Sequence, residues 1–444
     1  MLPQNMSLTL DEVSQLDFGI RRVGTPTLDS KLKDVIFVDD TERILYCADP
    51  QENARLHKTG HQIPSFLAAG PRRQLYYDAP WIKVAIATCG GICPGLNDVI
   101  KSLVNTLYYT YGVDSIFGIQ YGYRGLNPEY ELKPIELTPD VVDNIHTAGG
   151  TILGSSRGAQ DVEVMVKTLD RLKIDILFTI GGDGTQRGAH AIAEEIRKRN
   201  LAISVVGIPK TIDNDLNLVD KTFGFETAVA SAASVISCAH NEAKGAYNGI
   251  GLIKVMGRDS GFIAASATLA NSLVNFCLIP EVDFTLEGKN GLLARLERRL
   301  ARKHHAVIIV AEGAGQHLFD DADSQTVRDQ SGNKLHKDIG VFLKDAIVSH
   351  FKKTGVETSV KYFDPSYNIR STPASAMDSI FCLHLAQHAV HAAMAGMTDL
   401  VVGNWQGYFT YVPMELAIMS RRKIDPRSQL WQSVLLTTRQ EIDA

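Results

Sequence analysis

The chain has 444 residues, of which 45% are hydrophobic and 21% are charged, and it carries a formal net charge of −5. This length exceeds what one ordinary hydrophobic core supports, so we expect two domains and an additional segment. The charge excludes a general nucleic-acid binder, and the apolar runs are far shorter than the roughly 20 residues that cross a bilayer. The chain ends show neither a signal peptide nor an address tag, so we expect a cytoplasmic protein without nucleic-acid or membrane partners.

Residues 1–80 contain short polar stretches and prolines before any buried strand pattern, which indicates an N-terminal extension. From Lys83 the sequence changes to apolar runs that alternate with helical segments: KVAIATC, a helix near Asp98 to Tyr109, and then DSIFGIQ. The alternation continues through DILFTI, ISVVGI, GIGLIKV, NFCLIP, AVIIVAEG and TDLVVG. It predicts an α/β fold with parallel sheets, in which ligands bind beyond the carboxyl ends of the strands.

The first glycine-rich segment, Gly90–Asn97 (GGICPGLN), lies between the strand KVAIATC and a helix. Glycines at this position permit positive φ and let backbone N–H groups approach an anion, while the helix start adds a partial positive charge. A phosphate cradle and a tight turn without a ligand both fit this segment.

A second glycine-rich segment, Thr179–Thr185 (TIGGDGT), also leads from a strand end into a helix. Its glycines allow phosphates to lie against the backbone, and Asp183 can face Mg²⁺, which prefers carboxylate, water and phosphate oxygens. The pattern is typical of nucleotide-dependent kinases, including lipid and NAD kinases, so by itself it leaves the acceptor open. The alternative interpretation is an aspartate that caps a helix within a glycine turn.

The segment Pro209–Asp215 (PKTIDND) follows the apolar run ISVVGI. Phosphoryl transfer to an alcohol needs a carboxylate near the hydroxyl and cations that offset the charge on the moving group. Asp213 and Lys210 can supply both, and in an extended loop Asp213 and Asp215 would project similarly. The alternative is a turn whose side chains only satisfy their own backbone.

Three further segments place cations after strand patterns. In MGRDSG, which begins at Met256, an arginine held by flanking glycines suits a phosphate clamp. GSSR, which ends at Arg157, offers another arginine, and KYFDPSYNIR, from Lys361 to Arg370, is predicted to be a loop with two cations and aromatic residues. Each of these cations can equally be an ordinary solvated surface residue.

Taken in order, the segments GGICPGLN, YGYRGL, GGTILGSSR, GGDGT, PKTIDND, MGRDSGF, IPE and NIR resemble the phosphofructokinase family. The resemblance runs from about Lys83 to the C-terminal region. It implies two Rossmann-like three-layer domains with mainly parallel sheets, one binding nucleotide and the other sugar phosphate. The implied ranges are 81–224 with return segment 370–419 for the nucleotide domain, 225–369 with 420–444 for the sugar-phosphate domain, and 1–80 for the extension.

The resemblance also assigns residues to the reaction. Asp213 resembles the base that takes the proton of the fructose 6-phosphate 1-hydroxyl, Thr211 and Asp215 hold the sugar and organise the site, and Arg258 stabilises developing charge. The residues expected at the phosphoryl donor are Gly91, whose N–H approaches the transferred phosphate, Arg157, Gly182, Asp183, which also binds Mg²⁺, Gly184, Thr185 and Lys210. The further residues expected at the sugar phosphate are Met256, Gly257 and Glu281 along the sugar, and Lys361, Tyr367 and Arg370 at the 6-phosphate.

Two positions bear on the phosphoryl donor. Pyrophosphate-dependent members typically have an aspartate after the magnesium aspartate, where it would collide with the α-phosphate of ATP, and this chain has Gly184. Lys210, by contrast, is typical of the pyrophosphate branch. We weigh the steric position more heavily, since a lysine merely adds a phosphate partner, and we predict ATP with pyrophosphate as the alternative.

The resemblance therefore implies a Mg²⁺-dependent kinase of glycolysis that transfers the γ-phosphoryl group of ATP to fructose 6-phosphate. It further implies an allosteric homotetramer. A lipid or NAD kinase would give no reason for MGRDSGF and the NIR segment. A catalytically inactive sugar-phosphate sensor would be favoured by loss of Asp183 or Asp213, and both are present.

Overall fold

The computed structural model describes residues 8–319 and 336–440. The chain divides into two compact units. The first comprises Met1–Gly224 and Ser371–Arg422, and the second comprises Phe225–Arg370 and Lys423–Ala444. No helix within the described ranges is long and apolar enough to cross a membrane.

In chain order, the strands of the described residues are β1 (Arg21–Arg22), β2 (Leu28–Asp29), β3 (Arg43–Leu45), β4 (Ser65–Ala68), β5 (Gln74–Leu75), β6 (Lys83–Thr88), β7 (Ser115–Ile119), β8 (Ile135–Glu136), β9 (Ile176–Gly181), β10 (Ser204–Pro209), β11 (Gly249–Val255), β12 (Phe276–Leu278), β13 (His305–Ala311), β14 (Ser359–Phe363), β15 (Met397–Thr398), β16 (Leu400–Trp405) and β17 (Tyr408–Pro413). The α-helices are α1 (Leu10–Val13), α2 (Pro50–Lys58), α3 (Leu96–Asn105), α4 (Pro139–Val142), α5 (Val162–Leu172), α6 (Asp183–Lys198), α7 (Phe225–Gly245), α8 (Phe262–Asn271), α9 (Leu292–Lys303), α10 (Ile339–Thr354), α11 (Ser366–Ser371), α12 (Ala376–Met394), α13 (Met414–Ala417) and α14 (Gln429–Thr438).

The first unit is built on a sheet with the strand order β3-β4-β17-β16-β10-β9-β6-β7-β8. Its centre is parallel from β16 to β7, whereas β17, β4, β3 and β8 pair antiparallel with their neighbours. Every residue of β9 and β10 is buried. Burial on both faces is what parallel strands covered by helices require.

Helices cover both faces of this sheet because side chains alternate along each strand. Val84 and Ile86 of β6 pack in one core with α3 and α12. Ala85 and Ala87 of the same strand pack in the other core, with α5 and α6. The first unit is therefore a three-layer α/β structure.

The N-terminal segment contributes to the first unit, where β3 and β4 lengthen the sheet beyond β17. The Tyr46 and Trp405 rings stack with their centroids 5.2 Å apart, and the Trp405 indole N–H donates to the Tyr46 carbonyl oxygen over 3.0 Å. Phe66 is fully buried against both rings. Residues before Lys83 thus form part of this unit's hydrophobic core.

The second unit has a four-stranded parallel sheet with the order β12-β13-β11-β14. Helices α9 and α10 bury one face, where Ile308 of β13 packs in one core with Leu343 of α10. Helix α7 lies close against the other face, since a Cβ added at Gly251 would stand 2.7 Å from the Ala239 carbonyl oxygen. The predicted α/β fold with mainly parallel sheets is confirmed.

One local prediction is wrong. The segment KYFDPSYNIR is not a loop, because Lys361 lies within β14 and residues 366–370 form most of α11. β14 is an edge strand whose side chains are exposed or half-buried, so its polar residues are compatible with a strand.

Candidate active site

The segment GGICPGLN follows β6 in the first unit and is tied to the GSSR segment. The Gly90 N–H donates to the Ser156 carbonyl oxygen over 3.0 Å, and the Ser155 hydroxyl donates to the Gly90 carbonyl oxygen over 2.5 Å. A Cβ added at Gly91 would lie 3.3 Å from an Arg157 guanidinium nitrogen. The backbone of Gly91 therefore lies beside the Arg157 cation, as a phosphate cradle requires.

Lys210, just after β10, directs its ammonium group to the same place. Its side chain is only 7% exposed, and Nζ donates to the Gly91 carbonyl oxygen over 2.8 Å. Burial lowers the pKa of Lys210, and the nearby Arg157 acts in the same direction, whereas Asp213 opposes the shift. Gly91, Arg157, Lys210 and Asp213 thus lie together at the carboxyl end of the parallel strands.

The PKTIDND segment is a compact turn, so its predicted extended conformation is wrong. The Thr211 hydroxyl donates to Asp215 Oδ1 over 2.6 Å, and the Thr222 hydroxyl donates to the Thr211 carbonyl oxygen over 2.6 Å. These bonds fix the segment on both sides of Asp213. Thr211 and Asp215 act here as a hydrogen-bonded pair that shapes the turn.

Asn214 is the physical reason for this turn. Its backbone is left-handed, with φ of +55°, a conformation that asparagine tolerates better than most residues. Its amide nitrogen donates to the Asp220 carbonyl oxygen over 3.0 Å, and its amide oxygen accepts from the Thr222 N–H over 2.9 Å. The buried side chain therefore replaces backbone pairing inside the loop.

Asp183 begins helix α6, next to this cluster. Its Oδ2 lies 3.2 Å from Arg187 Nε and 3.6 Å from Arg421 Nη2, both within the first unit. Its Oδ1 is buried and has no hydrogen-bond partner among residues 8–319 and 336–440. Such an oxygen fits Mg²⁺ that arrives with phosphate oxygens and water, since Mg²⁺ needs few protein carboxylates.

The neighbours of Asp183 have different surroundings. A Cβ added at Gly184 would meet no atom within 4 Å in the described part of the chain, so the space beside this glycine is open. Gly182 precedes the helix, and an added Cβ there would stand 3.1 Å from the Lys210 carbonyl oxygen. Thr185 is 6% exposed, and its carbonyl oxygen accepts the Tyr123 hydroxyl over 2.7 Å, which anchors the first turn of α6.

In the second unit, the MGRDSG segment follows β11. Gly257 has φ of +127°, and an added Cβ would stand 2.4 Å from the Ser260 carbonyl oxygen, so only glycine fits. The Gly313 N–H donates to the Gly257 carbonyl oxygen over 3.1 Å, and Met256 is 7% exposed. The loop that carries Arg258 is thus held by backbone contacts.

Glu281 lies in the second unit and holds backbone groups. Its Oε1 accepts the N–H of Gly261 over 3.0 Å and the N–H of Ile424 over 2.9 Å. Burial raises the pKa of the Glu281 carboxyl group, although these two bonds oppose the shift. One oxygen of this side chain therefore holds the end of the MGRDSG segment and the backbone at Ile424.

The predicted 6-phosphate residues are divided between β14 and α11 of the second unit. Lys361 is exposed on β14. The Arg370 guanidinium carbon lies 4.4 Å from the centroid of the Tyr367 ring, within cation–π range. The structure brings Tyr367 and Arg370 together on one short helix.

Glu312 belongs to the same region and was missed by the sequence analysis. It directly follows β13, and its N–H donates to the Val255 carbonyl oxygen over 2.9 Å. Burial raises the pKa of the Glu312 carboxyl group, while Arg258 and Arg370 are among the charges that lower it. The sequence does mark this residue, because Glu312 directly follows an apolar strand pattern, at the carboxyl end of the strand where ligands bind.

We expect Asn214→Ala to lower the free energy of unfolding by about 1–3 kcal/mol, because the Thr222 N–H loses its acceptor inside the turn. Asn200→Ala is the matched control, since Asn200 is exposed and has the same φ of +55°. Urea unfolding of both variants separates the free energy of the lost hydrogen bonds from the cost of holding an alanine in the left-handed conformation. An equal loss in the two variants would contradict the role given to the Asn214 side chain.

The chain is similar to known proteins of one family over most of its length. The family model "Phosphofructokinase" matches residues 83–393. The chain is 54% identical over 380 residues to the ATP-dependent 6-phosphofructokinase of Borreliella burgdorferi. This match covers 84% of this chain and 85% of the relative. It is 46% identical over 440 residues to the ATP-dependent 6-phosphofructokinase of Amycolatopsis methanolica. This match covers 98% of this chain and 96% of the relative.

Among solved structures, the pyrophosphate-dependent phosphofructokinase from Marinobacter aquaeolei superimposes with a TM-score of 0.65 at 19% identity. The superposition covers 81% of this chain and 91% of that one. At this identity the likeness concerns the fold alone. The family match and the two sequence relatives, in contrast, extend over most of the chain, and the chain belongs to the phosphofructokinase family.

Proposed function

We propose that this protein transfers the γ-phosphoryl group of ATP to the 1-hydroxyl of fructose 6-phosphate, giving fructose 1,6-bisphosphate and ADP in glycolysis. The observation that carries this proposal is the convergence of a carboxylate, Asp213, with the Lys210 ammonium and the Gly91 backbone at one sheet edge. Relatives named ATP-dependent 6-phosphofructokinase, at 54% and 46% identity, support the same reaction.

The first unit would hold the phosphoryl donor. Phosphoryl transfer depends mainly on positioning and on charge neutralisation, and Lys210, Arg157 and the Gly91 N–H are suited to both. Asp183 would hold Mg²⁺ through its buried Oδ1, with Gly182 and Thr185 shaping the helix start around it. When bound, Mg²⁺ supplies neutralising charge at the phosphate oxygens.

Asp213 would act as the general base. A carboxylate that accepts a hydroxyl proton must be held in a fixed position, and the Thr211–Asp215 and Asn214–Thr222 bonds hold the turn around it. After the proton moves to Asp213, the sugar oxygen attacks the terminal phosphorus and ADP leaves. Lys210 and Arg157 offset the negative charge during this step.

The second unit would hold the sugar phosphate. Arg370 on α11 and Lys361 on β14 offer cations for the 6-phosphate, and the Tyr367 ring lies against the Arg370 guanidinium. Arg258 would stabilise developing charge, and the half-buried carboxylate of Glu312 can accept hydrogen bonds from sugar hydroxyl groups. Met256, Gly257 and Glu281 would form and support the loop along the sugar.

ATP is the donor that the site favours. The open space beside Gly184 leaves room for the α-phosphate, whereas an aspartate at this position would place a carboxylate there. Lys210 does not exclude ATP, because its ammonium group lies at Gly91, where the transferred phosphate is expected. Pyrophosphate remains the alternative donor, since it would meet the same lysine.

We also propose that the enzyme is an allosteric homotetramer of the cytoplasm. An apolar stripe on helix α12 supports assembly, because Met377, Ile380 and Leu383 are 60%, 52% and 40% exposed at three-residue spacing. Contiguous exposed apolar surface of this kind is typical of subunit interfaces.

Turnover with two donors tests the proposal. We expect purified enzyme with Mg²⁺ to convert fructose 6-phosphate when ATP is supplied, and to show little activity with pyrophosphate. Fructose 1,6-bisphosphate is measured in parallel for both donors at saturating sugar phosphate. Product with pyrophosphate alone would show that Lys210 rather than Gly184 decides the donor, and product with neither would refute the proposed reaction.

Asp213→Asn tests the general base. The amide keeps the shape of the side chain but cannot accept the proton, so we expect kcat to fall by about 10²- to 10⁴-fold while the KM for fructose 6-phosphate stays within a few-fold. Asp170→Asn, on the exposed end of α5, is the control and should leave kcat unchanged. If kcat is retained in Asp213→Asn, or falls only together with sugar binding, the assignment is wrong.

A further inference from the structure

Lys254 is a charged residue in a strand that is otherwise buried. It is the sixth residue of β11, in which the other six residues are buried, and its side chain is only 13% exposed. A lysine in the central part of a parallel sheet is costly to bury unless its ammonium group has partners. The partners of Lys254 therefore indicate what the residue does.

Two aspartates contact the Lys254 ammonium group, both in the second unit. Nζ lies 2.9 Å from Asp338 Oδ2 and 2.9 Å from Asp364 Oδ2. Burial lowers the pKa of Lys254, but the hydrogen bonds to the two carboxylates outweigh this effect and raise the pKa above its ordinary value. Lys254 is therefore a charged residue that joins two separate segments to β11.

Each aspartate uses its other oxygen to start a helix. Asp338 Oδ1 accepts the Gly340 N–H over 3.0 Å at the beginning of α10. Asp364 Oδ1 accepts the Ser366 hydroxyl over 2.6 Å and the Ser366 N–H over 3.3 Å at the beginning of α11. One ammonium group thus fixes the first turns of two helices relative to the sheet.

Helix α11 links this cluster to the ligand region, because it carries Tyr367 and Arg370. The helix is short, covering Ser366–Ser371, so its direction depends strongly on how its first residue is held. If the Asp364–Lys254 contact is lost, the start of α11 loses its side-chain connection to β11, while the backbone pairing of β14 with β11 remains. A misplacement of about 1 Å at a binding group is enough to affect a reaction strongly.

Charge gives Lys254 a second effect. Asp338, Asp364 and Glu312 all lie near its ammonium group, and Lys254 is among the charges that lower the pKa of Glu312. Without Lys254, these carboxyl groups would add uncompensated negative charge next to a sugar phosphate dianion. Removing the lysine would therefore weaken phosphate binding by repulsion as well as by displacement.

We propose that Lys254 is a positioning residue for the sugar phosphate, which acts through Asp364 and helix α11 on Tyr367 and Arg370. This inference rests on the proposed function, since the role of those two residues as a 6-phosphate grip belongs to it. Lys254 belongs to the second unit, whereas the proposed base and the proposed donor residues belong to the first. Its loss should therefore appear in sugar-phosphate affinity and leave the donor unaffected.

The kinetic test uses Lys254→Met, which keeps the length and volume of the side chain but removes the charge. We expect the KM for fructose 6-phosphate to rise by about 10- to 100-fold, with the KM for ATP and kcat within about twofold. Lys254→Arg, which can still pair with both carboxylates, should restore part of the affinity. The matched control is Lys344→Met on helix α10. The Lys344 side chain is 38% exposed, and its Nζ lies 3.4 Å from Asp345 Oδ1.

Hydrogen exchange provides a readout that does not need the reaction. In Lys254→Met, we expect faster amide exchange in α11 and in the first turn of α10, with exchange in α7 and α8 unchanged. Unchanged exchange in α11, an unchanged KM for fructose 6-phosphate, or an equal rise in both KM values would each overturn the inference. If wild-type enzyme does not convert fructose 6-phosphate, the proposed function fails, and exchange in α11 still decides whether Lys254 positions that helix.

Discussion

The contact of the buried Lys210 ammonium group with the Gly91 backbone is the interaction on which the proposed donor region of the first unit depends. Lys210 is 7% exposed and donates to the Gly91 carbonyl oxygen, which links the end of β10 to the loop after β6. A buried cation is costly when its charge is only partly compensated, and here the protein offers a carbonyl oxygen and the Asp213 carboxylate. An anionic phosphate would complete the compensation, so the charge of Lys210 favours binding of a phosphate-bearing donor.

Parallel strands explain why so much of this region could be predicted from the sequence. Their carboxyl ends meet at one edge of a sheet, so segments that follow apolar runs converge even when they lie far apart in the chain. GGICPGLN after β6, GGDGT after β9 and PKTIDND after β10 obey this rule, and the structure brings Gly91 and Lys210 together. Apolar strand segments and glycine-rich turns are local patterns, so both can be recognised in a single sequence.

What the sequence could not reveal depends on contacts between distant residues. The Lys254 cluster joins residues 84 and 110 positions apart, and no local pattern identifies such partners. The conformation of PKTIDND depends on Asn214 reaching Asp220 and Thr222, which an extended-loop interpretation overlooks. Glu281 and Glu312 look alike in sequence, since each follows a strand. The structure separates them, because Glu281 accepts backbone N–H groups whereas the Glu312 carboxylate lies near the charge of Arg258.

We propose that the space beside Gly184 lets the cluster around Lys210 accept a nucleoside triphosphate. Calorimetric titration of Gly184→Asp with Mg-ATP and with pyrophosphate tests it most directly, and Gly184→Ala serves as the control because its Cβ would meet open space in the described residues. We expect the aspartate to weaken ATP binding by about tenfold or more and to leave pyrophosphate binding within a few-fold, because its carboxylate conflicts sterically and electrostatically with the α-phosphate. Equal affinity of Gly184→Asp and the wild-type protein for ATP would contradict it.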